Sequence, residues 1–230
     1  MPSPLLAEIE RYRPDLPLAE ACTPPASWYI DPRFLELELE TTFANTWQYA
    51  CRLDQVREPG QLLVVRGNDG VLRGFFNVCR HHAAAVLAEP AGCVKRLRCP
   101  YHGWTYTLEG TLKAAPAFEG VRNFDPAANS LVPVATAAWE NWVFVRIAPD
   151  GPSLGEFLGA GVIAEVAKLG LSNLKWFDRK HYIFDCNWKV FVDNYLDGGY
   201  HVPYLHEGLD SVLDFKNYTI ENGARHCLQS

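Results

Sequence analysis

Hydrophobic and polar positions alternate over short distances in the middle of the chain and recur at helical spacing on either side of it. Over residues 48–147, short apolar runs are separated by glycine, asparagine and aspartate, which is typical of short strands joined by turns. The clearest hairpin pairs Leu62–Arg66 with Val71–Asn77 across Gly67–Gly70, because residues of these types tolerate the positive φ angles of a tight turn. This pattern predicts a small antiparallel β domain.

Helices are predicted on both sides of this β region. Asp31 followed by Pro32 predicts a helix start, with a helix over Phe34–Trp47. Two prolines and a glycine make Ala148–Ser153 the best candidate linker. The other predicted elements are helices at Leu154–Leu169 and Trp188–Tyr200, a strand at His181–Cys186, and the start of a strand pair at Tyr218–Ser230. The pattern predicts an α+β protein with an N-terminal arm and helix (1–45), a β domain (46–150) and a third part (151–230).

Composition and charge narrow the class of protein. The chain has 230 residues, of which 48% are hydrophobic and 21% charged, as in compact globular proteins. Its formal net charge of −6 predicts no nucleic-acid partner. No apolar run approaches the length of about 20 residues that spans a bilayer, and the N-terminus resembles neither a signal nor a transit peptide, so we expect a cytoplasmic protein that does not enter the membrane. Seven cysteines without regular spacing favour thiols and metal ligation over disulfides.

The stretch from Asn77 to Thr107 contains two pairs of metal-ligating residue types. They are Cys79-X-His81 and Cys99-X-X-His102, separated by residues 82–98. Such close spacing lets one tight loop present each pair. Two thiolates and two imidazoles suit structural zinc, a blue-copper variant, or a [2Fe-2S] cluster in which two histidines replace two cysteines on one iron. One cysteine and one histidine in each pair, unlike the Cys-X-X-Cys of zinc knuckles, favour the cluster.

Other residues of this stretch are given simpler roles. Pro100, Gly103 and nearby aromatics would provide a rigid loop and an apolar cover. We expect His82 to point away from the metal as a surface contact, Cys93 to be a free thiol, and Trp104 to serve in packing.

A second group of polar residues lies in the stretch CNWKVFVDNYLDGGYHVPYLH. On a helix, Asn194, Asp197 and His201 are related by steps of three and four residues and share one face. Pro203 is predicted to end that helix, and the next turn to return His206 towards His201. Two imidazoles need one carboxylate to form the facial triad of a non-haem Fe(II) oxygenase. Alone, this pattern also fits buried structural histidines, but an iron that activates O2 needs a one-electron donor such as the upstream cluster.

With both groups considered, the chain from about Thr23 onwards resembles the large subunit of Rieske non-haem iron oxygenases, and in particular the choline monooxygenase group. The stretches that carry the resemblance are TPPASWY, NVCRHHA, CPYHGWTYTLEGTL and CNWKVFVDNYLDGGYHVPYLH. The resemblance implies a small antiparallel β Rieske domain at 46–150 and the start of a helix-grip α+β catalytic domain at 151–230.

The resemblance also implies roles for individual residues. Cys79 and Cys99 would bind one iron of the cluster and His81 and His102 the other; His201 and His206 would bind the catalytic iron; Asp197 would link the cluster of one subunit to the iron of its neighbour; Asn194 would lie near that iron. The family acid usually lies three residues before the first iron histidine, where this chain has Gly198. The third iron ligand of the family comes from far downstream, and Asp210 and Asp214 follow His206 too closely to be that residue.

The implied function is hydroxylation of a small organic substrate, such as a choline-like quaternary ammonium compound, by O2. Electrons would come from an NAD(P)H-dependent flavin and iron-sulfur reductase or a ferredoxin, within a head-to-tail homotrimer. The alternatives are an aromatic-ring hydroxylating dioxygenase, a Rieske fragment that only transfers electrons, and a zinc-stabilised binding module.

Overall fold

The computed structural model describes residues 4–17, 19–52, 62–89, 91–214 and 217–229. The chain folds as two compact units, one formed by residues 41–177 and the other by residues 1–40 together with 178–230. The N-terminal arm thus belongs to the same unit as the C-terminal residues, because its helices pack on the helix that follows residue 187. The domain boundaries drawn from the sequence, 1–45, 46–150 and 151–230, stay a prediction.

The unit of residues 41–177 contains two antiparallel sheets. One has five strands in the order β1-β8-β7-β3-β2 and the other three in the order β4-β5-β6. The strands are β1 Gln48–Arg52, β2 Leu62–Arg66, β3 Leu72–Phe76, β4 Leu97–Arg98, β5 Thr105–Tyr106, β6 Leu112–Ala114, β7 Pro133–Trp139 and β8 Trp142–Arg146. The predicted hairpin is confirmed: β2 pairs with β3 around Gly70, whose φ is +78°. The antiparallel β domain and the α+β class are therefore confirmed.

The core of this unit surrounds the three-stranded sheet. Leu97 on β4 and Tyr106 on β5 are paired and fully buried, as is Val86. Cys79 and Cys99 belong to the same buried cluster. The two candidate cysteine ligands are thus part of the hydrophobic core.

Arg146 and Trp47 organise the linker that leaves the β domain. Arg146 is buried and donates to the carbonyl oxygens of Ala148, Pro149 and Pro152 at 3.1, 3.3 and 2.7 Å. Its guanidinium lies 5.2 Å from the centre of the Trp47 ring. The helix that follows, α4 Leu154–Ala167, begins with a capping box between Ser153 and Glu156. It ends within a turn of the predicted Leu169.

The other unit is mainly helical. Its elements are α1 Pro4–Arg11, α2 Ser27–Ile30, α3 Pro32–Glu38, a π-helix at Leu39–Phe43 that begins in this unit and continues into the other, α5 Trp188–Leu196, α6 Val202–Leu205, α7 Glu207–Asp210, and strands β9 Ile220–Asn222 and β10 Cys227–Gln229. Asp31 caps α3 by accepting from Arg33 N at 3.0 Å, with Pro32 in the first turn, as predicted. β9 and β10 pair with each other, so the predicted strand pair closes on itself.

Polar contacts attach α5 to the N-terminal helices. Glu38 accepts from Lys189 Nζ at 2.5 Å and from Trp188 Nε1 at 2.8 Å. Tyr29 donates its hydroxyl proton to Asp193 at 2.6 Å, and this hydrogen bond raises the pKa of Tyr29 to about 12. The position of α5 is therefore fixed by residues at least 150 positions earlier in the chain.

Three predictions about this unit are wrong. The helix predicted to Tyr200 ends at Leu196, because Gly198 and Gly199 adopt φ of +73° and +69°. Pro203 does not end that helix but lies in the first turn of α6. His181–Cys186 does not form a strand among the described residues, since no neighbouring strand pairs with it there.

The described residues include no helix that is both long and apolar enough to cross a membrane.

Candidate metal centre

The first cysteine-histidine pair lies on a loop closed by two backbone hydrogen bonds. Cys79 N donates to Ala84 O at 2.8 Å, and Ala83 N donates to Cys79 O at 3.0 Å. Ala83 adopts a left-handed conformation with φ of +57°. This turn holds His81 between the two hydrogen-bonded ends.

The second pair lies on a loop with the same hydrogen bonds at the same offsets. Cys99 N donates to Trp104 O at 2.9 Å, and Gly103 N donates to Cys99 O at 3.1 Å. Gly103 takes the left-handed position with φ of +75°. The two loops are therefore matched turns, each beginning at a buried cysteine that is 2% exposed.

Tyr106, on the strand that follows the second loop, contacts the first loop through its hydroxyl group. The hydroxyl lies 3.3 Å from Cys79 Sγ and accepts from Arg80 N at 3.1 Å. Burial, followed by the contact with Cys79, raises the pKa of Tyr106. Burial also raises the pKa of the Cys99 thiol. Since a metal ion replaces the thiol proton, Tyr106 is placed to donate a hydrogen bond to a thiolate. The sequence suggested only an apolar cover here.

The histidine rings of the two loops lie close together. The ring centroids of His81 and His102 are 4.7 Å apart. His81 stacks on Trp104, with centroids 4.8 Å apart and an interplanar angle of 6°. Its Nδ1 is buried without a hydrogen-bond partner, and burial lowers the pKa of His81. A half-buried imidazole whose buried Nδ1 has no hydrogen-bond partner fits a metal ligand, because orphaned buried polar atoms are otherwise costly.

His82 is exposed, as expected for a surface contact, and its ring lies against the other imidazoles; that it points away from the metal stays a prediction. Its ring centroid is 4.1 Å from that of His81 and 5.3 Å from that of His102. His82 is exposed, as are His102 and Cys93. The tight turn that follows Cys79 brings consecutive side chains to the same side.

Asn77 fixes the segment after the first loop and was missed by sequence reasoning as a positioning residue. Its buried side-chain oxygen accepts from Val86 N and Leu87 N, both at 3.0 Å. Its amide group donates to Leu87 O at 2.8 Å. The only signal in the sequence was its position two residues before Cys79.

The residues present fit a cluster with two protein ligands on each iron. Within the described residues, no three His, Cys, Asp or Glu side chains come together as a site for a single metal ion. A Rieske cluster does not require such a group, because one iron takes two thiolates and the other two imidazoles.

The second group of residues is assembled by a glycine turn rather than by one helix. The ring centroids of His201 and His206 are 5.2 Å apart. Asp197 Oδ2 lies 2.5 Å from His201 Nδ1, and its other oxygen accepts from Gly199 N at 2.8 Å. Nδ1 of His201 is thereby occupied, which leaves Nε2 as the nitrogen available to a metal.

The neighbouring polar residues take no part in this contact. Asn194 is exposed on α5 and makes no side-chain hydrogen bond to His201 or His206 in the part of the chain that is described. Asp193 accepts from Tyr29, and Asp214 accepts from Asn217 Nδ2 at 2.7 Å. Asp210 closes the short helix α7. The structure therefore brings His201 close to both His206 and Asp197, and no further carboxylate joins them in the described part of the chain.

Two family profiles match this chain. The Rieske [2Fe-2S] domain matches residues 46–125, and the catalytic domain of the ring-hydroxylating alpha subunit matches residues 171–229. The first match contains both cysteine-histidine loops, and the second contains Asp197, His201 and His206.

Proteins with sequence similarity align with most of this chain. Chloroplastic choline monooxygenase of Arabidopsis thaliana is 39% identical over 92% of the chain and 54% of its own length. The carnitine monooxygenase oxygenase subunit of Escherichia coli is 32% identical over 86% of the chain and 56% of its own length. The chain thus spans about half the length of these relatives.

Solved structures show the same fold. The quaternary ammonium Rieske monooxygenase CntA in complex with L-carnitine superposes with a TM-score of 0.81 at 28% identity, over 89% of this chain and 61% of that one. Naphthalene 1,2-dioxygenase superposes with a TM-score of 0.63 at 24% identity, over 77% and 43% of the two chains, which shows a shared fold alone. From the two matched domains and the identity to the plant and bacterial monooxygenases, the chain belongs to the family of Rieske oxygenase large subunits.

Proposed function

We propose that the chain receives electrons at a Rieske cluster and passes them to a mononuclear iron site, as part of an oxygenase that hydroxylates a quaternary ammonium compound. The observation that carries this proposal is the pair of matched loops. Each loop begins at a buried cysteine, and their histidines lie ring to ring. This arrangement suits a two-plus-two ligand set.

Each side chain of the first site has a defined task in this proposal. Cys79 and Cys99 would hold one iron as thiolates, and His81 and His102 the other through neutral rings. When bound, the cluster supplies single electrons and the mononuclear iron supplies reductive activation of O2. Tyr106 donates a hydrogen bond to the Cys79 sulfur, and the stacked Trp104 ring keeps water from His81.

At the second site, Asp197 sets the tautomer of His201. It holds the proton on Nδ1, so that Nε2 of His201 and the ring of His206 are available to iron. We further propose that Asp197 links the iron site to the cluster of a neighbouring subunit in a head-to-tail homotrimer. Asn194 keeps its proposed place near the iron. Electrons would come from an NAD(P)H-dependent flavin and iron-sulfur reductase or from a ferredoxin, and a cytoplasmic location stays a prediction.

The substrate class rests on the relatives and on local chemistry. Choline, carnitine and glycine betaine monooxygenases are all among the similar proteins. Tyr200 and Tyr204 flank His201, are 76% and 77% exposed, and have ring centroids 6.4 Å apart. Aromatic faces of this kind attract quaternary ammonium groups. An aromatic-ring substrate is supported by a shared fold alone.

Metal content tests the proposed function directly. We would measure iron, zinc and acid-labile sulfide per chain after anaerobic purification. The expected result is a cluster with equal iron and sulfide, and one further iron that is lost in His201→Ala/His206→Ala. Cys99→Ser should lose the sulfide instead, because a cluster ligand is removed.

Each result separates one alternative from the others. Cluster iron without the further iron would make this chain an electron-transfer fragment. Zinc without sulfide would refute the Rieske assignment and support the zinc-stabilised module. Asn217→Ala serves as a matched control for the double histidine variant, because the Asn217 side chain donates to Asp214 and to no iron-site residue among those described, so the iron content should be unchanged.

A further inference from the structure

We propose that a basic surface beside the second cluster loop is the docking site of the electron donor, and that the donor is a protein with acidic side chains around its own redox centre. We call this surface the basic rim and define it by Arg96, Arg98 and Lys113. The inference rests on the proposed function, because it presupposes a cluster that accepts electrons from a partner.

The local charge is opposite to that of the whole chain. Residues 80–113 carry five basic and two acidic side chains, whereas the chain as a whole has a net charge of −6. The five basic residues are all exposed: Arg80, Lys95, Arg96, Arg98 and Lys113. None of the five forms an ion pair with a described residue, unlike Arg73, which pairs with Asp69 at 2.7 Å. Their charge is therefore available to a partner.

The three-stranded sheet places the basic rim on its outward face. Leu97 on β4 and Leu112 on β6 point into the core at 0% and 5% exposure. Since side chains alternate along a strand, Arg98 and Lys113 point outwards, and both are exposed. Arg96 precedes the buried Leu97 and is also exposed.

The basic rim lies directly beside the cluster loop. A Cβ atom on Gly103 would be 3.3 Å from Arg98 Nη2, so the guanidinium covers the loop between His102 and Trp104. Arg98 also immediately precedes Cys99 in the chain. A protein bound to the basic rim would bring its redox centre close to the second cluster loop. Only one electron is transferred, from the reduced donor to the oxidised cluster, and no bond is made or broken.

Positive charges at this position have a second physical effect that must be separated from docking. A nearby cation stabilises the reduced cluster and raises its potential. Docking instead changes the rate of association and its dependence on salt, because opposite charges steer two proteins together and salt screens them. Arg96 and Lys113 are the better test positions, since Arg98 contacts the loop itself.

The experiment uses reduced plant-type [2Fe-2S] ferredoxin as an acidic probe. Its rate of electron transfer to the anaerobic, cluster-loaded chain would be followed by stopped-flow absorbance. The test variant is Arg96→Glu/Lys113→Glu, and the matched control is Lys175→Glu/Lys180→Glu, which changes the net charge equally at two exposed positions. Cluster absorbance, full reduction by dithionite and the reduction potential are measured for every variant.

We expect the test variant to react about tenfold more slowly than the original chain at low ionic strength, with a weaker salt dependence and an unchanged potential. The rates of all variants should converge at high salt. The docking proposal would be overturned, with the cluster assignment intact, if the test variant reacted as fast as the original chain. It would also be overturned if the control variant lost as much rate as the test variant. A change in oligomeric state without a change in rate would assign the surface to a second copy and also overturn it. Absence of a cluster would overturn the proposed function itself.

Discussion

Tyr106 is the side chain that connects the packing of the β domain to the chemistry of the candidate cluster. Its ring is fully buried between Leu97 and Leu112, its partners on the neighbouring strands. Its hydroxyl lies 3.3 Å from Cys79 Sγ. A hydrogen bond to a thiolate stabilises the more negative, reduced state of a cluster and so raises its potential.

Tyr106→Phe is therefore expected to lower the reduction potential of the cluster. Loss of a hydrogen bond worth about 1 kcal/mol corresponds to about 40 mV for a one-electron couple. The ring remains, so the fold and the cluster content should be retained. Redox titration followed by visible circular dichroism measures the shift. Tyr101→Phe is the control, because Tyr101 is 64% exposed and has no hydroxyl hydrogen bond among the described residues. An equal shift in both variants would contradict this role of Tyr106.

At this scale, spacing predicted the candidate ligands but not the residues that support them. Cys79, His81, Cys99 and His102 were proposed because one or two intervening residues place a thiol and an imidazole on one tight turn. Asn77 and Tyr106 were not assigned their contacts, because a buried amide or phenol acquires its partner only when distant strands come together. The sequence around Tyr106 is equally compatible with plain packing.

Among the elements, the two cluster loops show how backbone conformation limits the choice of residue. Both use a left-handed residue at the fifth position, Ala83 in one and Gly103 in the other. The left-handed conformation costs a residue with a Cβ about 1–2 kcal/mol, whereas glycine adopts it freely. The first loop therefore carries a strain that the second does not.

Exchanging the residue types should change stability in opposite directions. Ala83→Gly is expected to stabilise the chain slightly, by less than about 1 kcal/mol, because relief of strain is partly offset by the greater freedom of glycine in the unfolded chain. Gly103→Ala is expected to destabilise it by about 1–2 kcal/mol. Thermal unfolding of the loaded chain, followed by circular dichroism, measures both. Ala85→Gly, at an exposed position just outside the first loop, is the control; stabilisation by that variant would argue against strain at Ala83.

The elements that were predicted well carry their own local signals. Asp31 with Pro32, the hairpin at Gly67–Gly70, and the start of α4 were predicted because caps and turns are specified by adjacent residues. The failures at His181–Cys186 and after Leu196 have a different origin. A strand exists only when a neighbour pairs with it, and two consecutive glycines overrode the helical spacing that links Asp197 to His201. The sequence nevertheless predicted that Asp197 and His201 lie close together, and the glycine turn preserves this proximity.

At the scale of the whole chain, the two units differ in how well they bury their apolar residues. In the unit of residues 41–177, most of the buried hydrophobic side chains form one core that includes both candidate cluster cysteines. In the other unit, large apolar side chains are exposed on α5 and α6, in the segment before α5 and in the segment after α7. Ile183 is 94% exposed, Val212 74% and Leu205 71%. Exposed apolar surface on this scale favours association with other chains.

Residues 41–177 expressed alone should therefore fold, retain the cluster and remain monomeric, because the candidate cluster ligands and the core that supports them lie within this unit. The 230-residue chain should associate with other chains, because its exposed apolar side chains become buried only on contact with further copies or other polypeptides. Size-exclusion chromatography with light scattering distinguishes two forms of association. A ring of the proposed kind stops at three copies, whereas non-specific contact between apolar surfaces continues to grow with concentration. A monomeric 230-residue chain at about 0.1 mM would show that these side chains do not drive association with a Kd below about 0.1 mM.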